Sequence, residues 1–257
     1  MNYKIKCLRE KMKLLEIDGM IISNPINIEY ITGVYAEGTL IINDKDNIFI
    51  TDARYIEDVN STITISDEIN VRDQANIPEN EYISFFANCP RVGIEENYIS
   101  YSKYQNLVRI YRLKEAVETN NLIEKMRTIK DDNEIAKIRR ACEITDNCFT
   151  HLLEYIKVGM TERQIAFEIE KYFIENGANG LAFDTIVASG ENSSKPHAIP
   201  TNRMIQNGDN ITIDFGAKYK GYCSDMTRTI FVGSVSDEVR ELYNFILEGQ
   251  LRATNKI

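Results

Sequence analysis

Asp214 and Asp225 lie on the two arms of a segment that reads as one β-hairpin, ITIDFGAKYKGYCSDMTRTIFVG. The arms run over 210–217 and 222–232, around a turn centred on Tyr219-Lys220. A two-residue loop there pairs 218 with 221 and sets the two carboxylates directly opposite one another, with Cβ atoms roughly 4.5–5.5 Å apart. Like charges facing each other across a sheet are destabilising, so a shared proton or a bound cation is needed to offset the repulsion. Two hard oxygen donors converging on one point suit a divalent metal. The plain alternative is a solvated pair, with one carboxylate sent to the other face by a one-residue slip.

His197 stands in the loop PHAIP, between two prolines whose fixed φ angles restrict where the ring can point. Loops held by a rigid scaffold often carry function, and an imidazole there can give a proton or hydrogen bond to a polarised carbonyl oxygen. A surface histidine is the plain reading. His151, the only other histidine, falls beside the apolar stripe of a long helix and reads as a packing residue. With two histidines, a three-histidine zinc site within one chain is excluded. Any metal must rely on carboxylates, which favours harder ions such as manganese.

The elements that position these residues follow from the remaining pattern. The 257 residues allow two domains, and 43% hydrophobic content supports a sizeable core. A net charge of −9 argues against a nucleic-acid or anionic-membrane partner. No apolar run reaches the ~18 residues of a membrane span, and the charged N-terminal stretch is no signal peptide. Five cysteines without a CxxC pattern read as reduced, mostly buried thiols of a cytoplasmic protein; Cys223, on the side of Asp214 in the expected hairpin register, reads as a packed small hydrophobe, with a reactive thiol as the alternative.

Residues 1–124 alternate helix and strand signals: a helix on Ile5, Leu8, Met12 and Leu15, then a strand at 19–23, a Pro25 turn and a hairpin of TLIIN and NIFIT. TITIS (62–66) and RVGIEE (91–96) are further strands, separated by a helical stretch near 81–86, and a helix is expected over 102–109. This is an α/β layered domain. The polar stretch 118–127 suits a linker. From 125 to 257 the pattern is a capping box at Asp131-x-x-Glu134, a helix with the stripe Ile135, Ile138, Cys142, Thr145, Phe149, Leu152 and Ile156, and a second box at Thr161-x-x-Gln164. The strand TIVASG, the His197 loop, the hairpin and a helix capped by Ser236 follow.

The segment SGENSSKPHAIPTNRMIQNGDNITIDFGAKYKGYCSDMTRTIFVG resembles the metal-binding core of the pita-bread metallopeptidases, specifically aminopeptidase P and prolidase. His197 follows an S-G-x-N loop, Ser189-Gly190-Glu191-Asn192. Asp214 is similar to the aspartate of the family's D-x-G strand, a terminal ligand, and Asp225 to that of its S-D-x-T-R-T strand, which bridges two metals. NPINIEYITG and FITDARYIEDV resemble the family's leading domain. The resemblance implies an α+β fold, with a creatinase/prolidase-like N-terminal domain (1–124) followed by the first half of a pita-bread catalytic domain (125–257). It implies a dinuclear manganese or cobalt exopeptidase acting on peptides with proline in second position, an Xaa-Pro aminopeptidase or dipeptidase. There His197 would stabilise the tetrahedral intermediate by hydrogen bonding.

The family completes its site with a histidine and two glutamates after the hairpin, and the 257 residues contain no later histidine. The resemblance therefore implies a C-terminally truncated site with weak or absent metal binding in this chain alone, since a hard ion usually takes about six oxygen donors. An uncovered hairpin face and last helix would favour a homo-oligomer. The second reading is a non-catalytic peptide- or protein-binding module on the same scaffold.

Overall fold

The structure, a computed structural model, describes residues 2–63 and 69–256. It divides into two compact units, Met1–Lys130 and Asp131–Ile257. In the first, α1 (Tyr3–Leu14) begins where the Asn2 side chain accepts the Lys4 amide at 2.9 Å. Next comes β1 (Gly19–Ile22). Pro25, expected in a turn, instead opens α2 (Pro25–Thr32) behind the N-cap Asn24: its missing N–H would have no helical partner in a first turn anyway.

The hairpin of β2 (Thr39–Asn43) and β3 (Asn47–Thr51) is as expected. It is followed by α3 (Ile56–Thr62), β4 (Asn70–Asp73), α4 (Glu79–Ser84), β5 (Arg91–Ile94), α5 (Tyr101–Tyr111) and β6 (Glu115–Glu118). Of the expected strand at 62–66, Thr62 closes α3 and 64–66 lie outside the described residues. The stretch 118–127, polar enough to suggest a linker, instead enters α6 (Leu122–Thr128), which buries Leu122, Ile123 and Met126. Three apolar residues one helical face apart outweigh the polar average of the segment.

The six strands form one mixed sheet, β4-β3-β2-β1-β5-β6. Successive residues of β1 enter opposite cores. Met20 and Ile22 pack with Ile5, Leu8, Ile28 and Ile31, whereas Ile21 packs with Phe85, Phe86, Val92, Leu107 and Tyr111. Both faces are covered, which is why β1 is apolar at every position after Gly19 rather than alternating.

The second unit opens with α7 (Asp132–Tyr155) and α8 (Glu162–Glu175), and both expected capping boxes are formed. The buried face of α7 is turned relative to the expected stripe. Glu134, Ala141, Ile144, Thr145, Cys148 and Leu152 are buried, while Ile135 and Cys142 are exposed. The helix meets α8 on one side and hairpin strands on the other, so its contact line is set by two neighbours and departs from the richest apolar stripe. His151 is the packing residue expected: its Nε2 lies 2.9 Å from Glu168 Oε1, and its ring stacks on Tyr155 and Tyr172.

Then come β7 (Gly180–Leu181), β8 (Ile186–Ser189), a 3-10 turn over Gly190–Ser194, β9 (Asn210–Phe215), β10 (Ala217–Tyr219), β11 (Tyr222–Cys223), β12 (Met226–Phe231) and α9 (Asp237–Thr254). β12-β9-β8 form one sheet and β11-β10-β7 another. Along β9, Ile211, Ile213 and Phe215 are buried against Ile165, Ile169 and Phe173 of α8, while Asn210, Thr212 and Asp214 alternate on the other, half-buried face. Of the five thiols only Cys148 is buried; Cys142 and Cys223 are exposed, against the expectation of mostly buried cysteines. No helix among the described residues is long and apolar enough to cross a membrane.

Candidate active site

The hairpin turn falls on Lys220-Gly221, one residue later than expected. Both have positive φ, 47° and 82°, the pair of left-handed conformations that a type I′ two-residue loop demands. Glycine takes the second at little cost, and the Lys220 amide is further held by Asn179 Oδ1 at 2.6 Å. Tyr219 therefore pairs with Tyr222 and Lys218 with Cys223. The same register continues down the hairpin, with Met226 opposite Phe215 and Thr227 opposite Asp214.

Asp214 and Asp225 are consequently not cross-strand partners. Moving the turn by one residue slides the register by two, and Thr227 takes the place expected for Asp225; its hydroxyl donates to Asp214 Oδ1 at 2.7 Å. A slip of two preserves side-chain parity. Ser224 is buried, with Oγ 2.6 Å from Thr145 Oγ1 of α7, and Met226 packs into the helix-covered core. Asp225, between them, falls on the opposite side with Thr227 and Asp214. The two carboxylates thus share the open face as diagonal neighbours, Asp214 half-buried and Asp225 exposed.

The glycine two residues after Asp214 has a physical reason. A Cβ at Gly216 would lie 2.1 Å from the Ser224 carbonyl oxygen. The hairpin closes tightly there, with the Ala217 amide donating to Ser224 Oγ at 2.9 Å and the Ser224 amide donating to the Ala217 carbonyl at 3.0 Å.

His197 is exposed, in a turn between the 3-10 segment and β9. Its loop is anchored by a residue that the sequence reading passed over. Glu162, the first residue of α8, has no exposed surface. Its Oε1 accepts from the Ser189 amide at 2.7 Å and the Ser189 hydroxyl at 2.8 Å. Its Oε2 accepts from Asn192 Nδ2 at 3.0 Å, the Thr201 amide at 2.9 Å and the Thr201 hydroxyl at 2.6 Å. Burial alone would raise the carboxyl's pKa, but these bonds from Thr201 and Ser189 hold it below its ordinary value.

Arg203 extends the frame, donating to Ser189 Oγ at 2.8 Å and bidentately to Asp209 at 2.5 and 2.9 Å. Gly190 gives the guanidinium room: its φ is +50°, and a Cβ there would meet Arg203 Nη2 at 2.3 Å. A helix-opening Glu followed by a polar loop carries no signal of this closure, because the partners lie 27 to 39 positions away.

Among the described residues no group of three or more His, Cys, Asp or Glu side chains gathers as a metal site. Asp214 and Asp225 fit such an ion in donor type, being hard oxygens on one face, and supply two of the donors it needs.

The two units carry two family signatures. Residues 4–129 match the creatinase/prolidase N-terminal domain, and residues 136–257 match metallopeptidase family M24. The uncharacterized peptidase YqhT of Bacillus subtilis is 36% identical over 248 residues, which are 96% of this chain and 70% of that protein. A Xaa-Pro dipeptidase of Pyrococcus horikoshii is 33% identical over 256 residues, 98% of this chain and 71% of the relative. The solved structure of a Xaa-Pro dipeptidase from Bacillus anthracis matches with a TM-score of 0.88 at 36% identity, covering 97% of this chain and 70% of that one. The architecture is a creatinase/prolidase-like N-terminal domain followed in sequence by the first half of a pita-bread catalytic domain. The chain belongs to metallopeptidase family M24.

Proposed function

We propose that this chain is part of a metal-dependent exopeptidase that cleaves Xaa-Pro peptide bonds, with Asp214 and Asp225 as metal carboxylates and His197 as a substrate-contacting group. The reading is carried by Asp214 on the half-buried face of β9 and by Asp225, exposed just before β12 and next to the buried Ser224. The similarity to Xaa-Pro dipeptidases supports the substrate class. A divalent pair, manganese or cobalt, would supply Lewis-acid polarisation of the scissile carbonyl and a water of lowered pKa. Thr227 holds Asp214 by its hydroxyl, fixing one carboxylate oxygen and leaving the other for a cation. His197 donates a hydrogen bond to the oxygen of the carbonyl under attack.

Two carboxylates make a poor cage for a hard ion, so residues 1–257 alone bind Mn²⁺ weakly and do not turn over Xaa-Pro peptides. Calorimetry with Mn²⁺, on the chain and on Asp214→Asn and Asp225→Asn, tests this beside a chromogenic Xaa-Pro assay. Weak binding lost in both variants supports the reading. Wild-type and variant chains with the same Mn²⁺ isotherm would remove the metal role. Robust turnover abolished by Asp225→Asn would keep the peptidase and refute the partial donor set. Metal-independent peptide binding would favour the binding-module alternative.

A further inference from the structure

Between Ser189 and Thr201 the chain leaves β8, makes a 3-10 turn, carries His197 and comes back to α8, and both ends of this excursion close on one side chain. We propose that Glu162 is the positioning residue of His197, fixing its loop against the strand that carries Asp214. The inference rests on the reading of His197 as the group that meets the substrate. His197 is exposed, and among the described residues its ring makes no hydrogen bond, so the backbone beneath it is what sets the region the imidazole can reach.

That backbone is tied down by the division of labour on the carboxylate. Oε1 takes the Ser189 amide and hydroxyl, where the loop departs. Oε2 takes Asn192, in the 3-10 turn just beyond Ser189, and the Thr201 amide and hydroxyl, where the loop returns. An ionised carboxylate is an acceptor only, with about four lone-pair sites, and it suits a ring of donors in a way no neutral side chain of that size does. The loop is then keyed to the aspartate strand. Ser189 Oγ accepts from Arg203, Arg203 pairs with Asp209, and Asp209 immediately precedes β9. A second tie runs from Asn210 Nδ2 of β9 to Ser193 Oγ at 2.7 Å. Glu162 thus connects α8, the His197 loop and the start of the Asp214 strand through bonded groups.

Glu162→Gln is the sharpest probe, because it keeps volume and replaces one acceptor oxygen with an NH₂ that faces donors. Whichever way the new amide turns, its NH₂ faces a backbone N–H, of Ser189 or of Thr201, and that bond is lost. The chain has only two histidines, so imidazole ¹H–¹³C spectra of the full 257-residue chain contain two Cε1–H and two Cδ2–H signals, one of each per ring, assigned with His197→Ala. His151, bridging α7 to Glu168 of α8, reports on helix packing in the same unit. The expected result is a His197 signal displaced or broadened by more than a line width in Glu162→Gln, with His151 unmoved. Phe173→Leu, which loosens the core of this unit without touching the loop, should lower the melting point and leave His197 in place.

Should Glu162→Gln not fold, Thr201→Val removes one donor while keeping the carboxylate, and is expected to give a smaller displacement of the same signal. The proposal is overturned if His197 stays in place in both loop variants, if Phe173→Leu moves it as much as they do, or if the wild-type ring already behaves as in an unstructured peptide. These readings need neither metal nor turnover. A chain without Mn²⁺ affinity therefore sinks the proposed function and leaves this result standing, while an unmoved His197 in a metal-binding chain sinks the positioning role alone.

Discussion

Five donors around one buried carboxylate give Glu162 a pH signature. Its folded pKa lies below the ordinary value of 4.5 because the bonds from Thr201 and Ser189 outweigh burial. A group depressed in this way contributes stability above the unfolded pKa and loses it as pH falls through the folded one. The second unit should therefore weaken as pH drops below about 4.5. In Glu162→Gln the decline should be shallower, on a unit already less stable at pH 7 by about 1–3 kcal/mol. Amide exchange of wild type and variant between pH 3 and 7 measures both, and parallel acid limbs would refute the linkage.

Gly216→Ala tests packing in place of charge: the added methyl meets the Ser224 carbonyl and should cost about 1–3 kcal/mol. The melting transition of the second unit should fall, with that of the first unchanged. At this scale the sequence singled out residues that stand out by type, the two aspartates and the histidine, whose metal and substrate roles are proposals. It hid Glu162, because a glutamate opening a helix is ordinary until the chain returns to it from far away.

The turn on Lys220-Gly221 governs the face of the hairpin that matters. Its second residue needs a φ of 82°, and a β-carbon in the left-handed region costs about 1–2 kcal/mol. Gly221→Val should cost at least that and broaden the signals of β10 and β11 while β8 persists, as read by backbone NMR; unchanged hairpin signals would show that the strands, and not the turn, set the register. Local chemistry made some elements legible in advance. Both capping boxes need only four consecutive residues, and they formed as expected. The hairpin's existence was legible from alternation. Its register was not, since a Tyr-Lys centre and a Lys-Gly centre differ by one residue in the turn and by two across the ladder. The buried face of α7 was misjudged for a related reason: its neighbours on two sides are tertiary facts that a single helix's pattern does not hold.

The two units differ in how completely their elements are covered, and the burial along their strands carries that difference. β1 through β3, apolar on both faces, announce cover on both sides, whereas β9 alternates and announces cover on one. Core strands buried on both sides open only with the unit as a whole, while strands with one open face open locally at lower cost. Amide exchange should accordingly be slower in 19–22 and 39–51 than in 211–215 and 227–232. The last helix carries the same argument further. α9 fully buries none of its residues, and Leu242, Phe245, Ile246 and Leu251 are more than half exposed, while Tyr243 makes a ring contact with Phe231. Beside it β12 is an edge strand of its sheet, with backbone groups free to pair. An apolar stripe of this length next to an open edge favours association, so the 257-residue chain should sediment as a concentration-dependent mixture of monomer and larger species. Leu242→Glu with Ile246→Glu places two charges on the stripe and should return it to a monomer without altering exchange in the first unit. A wild-type chain that stays monomeric at every concentration, with 211–215 as protected as 39–51, would mean that the α9 stripe and the open face of β9 and β12 drive neither association nor local opening.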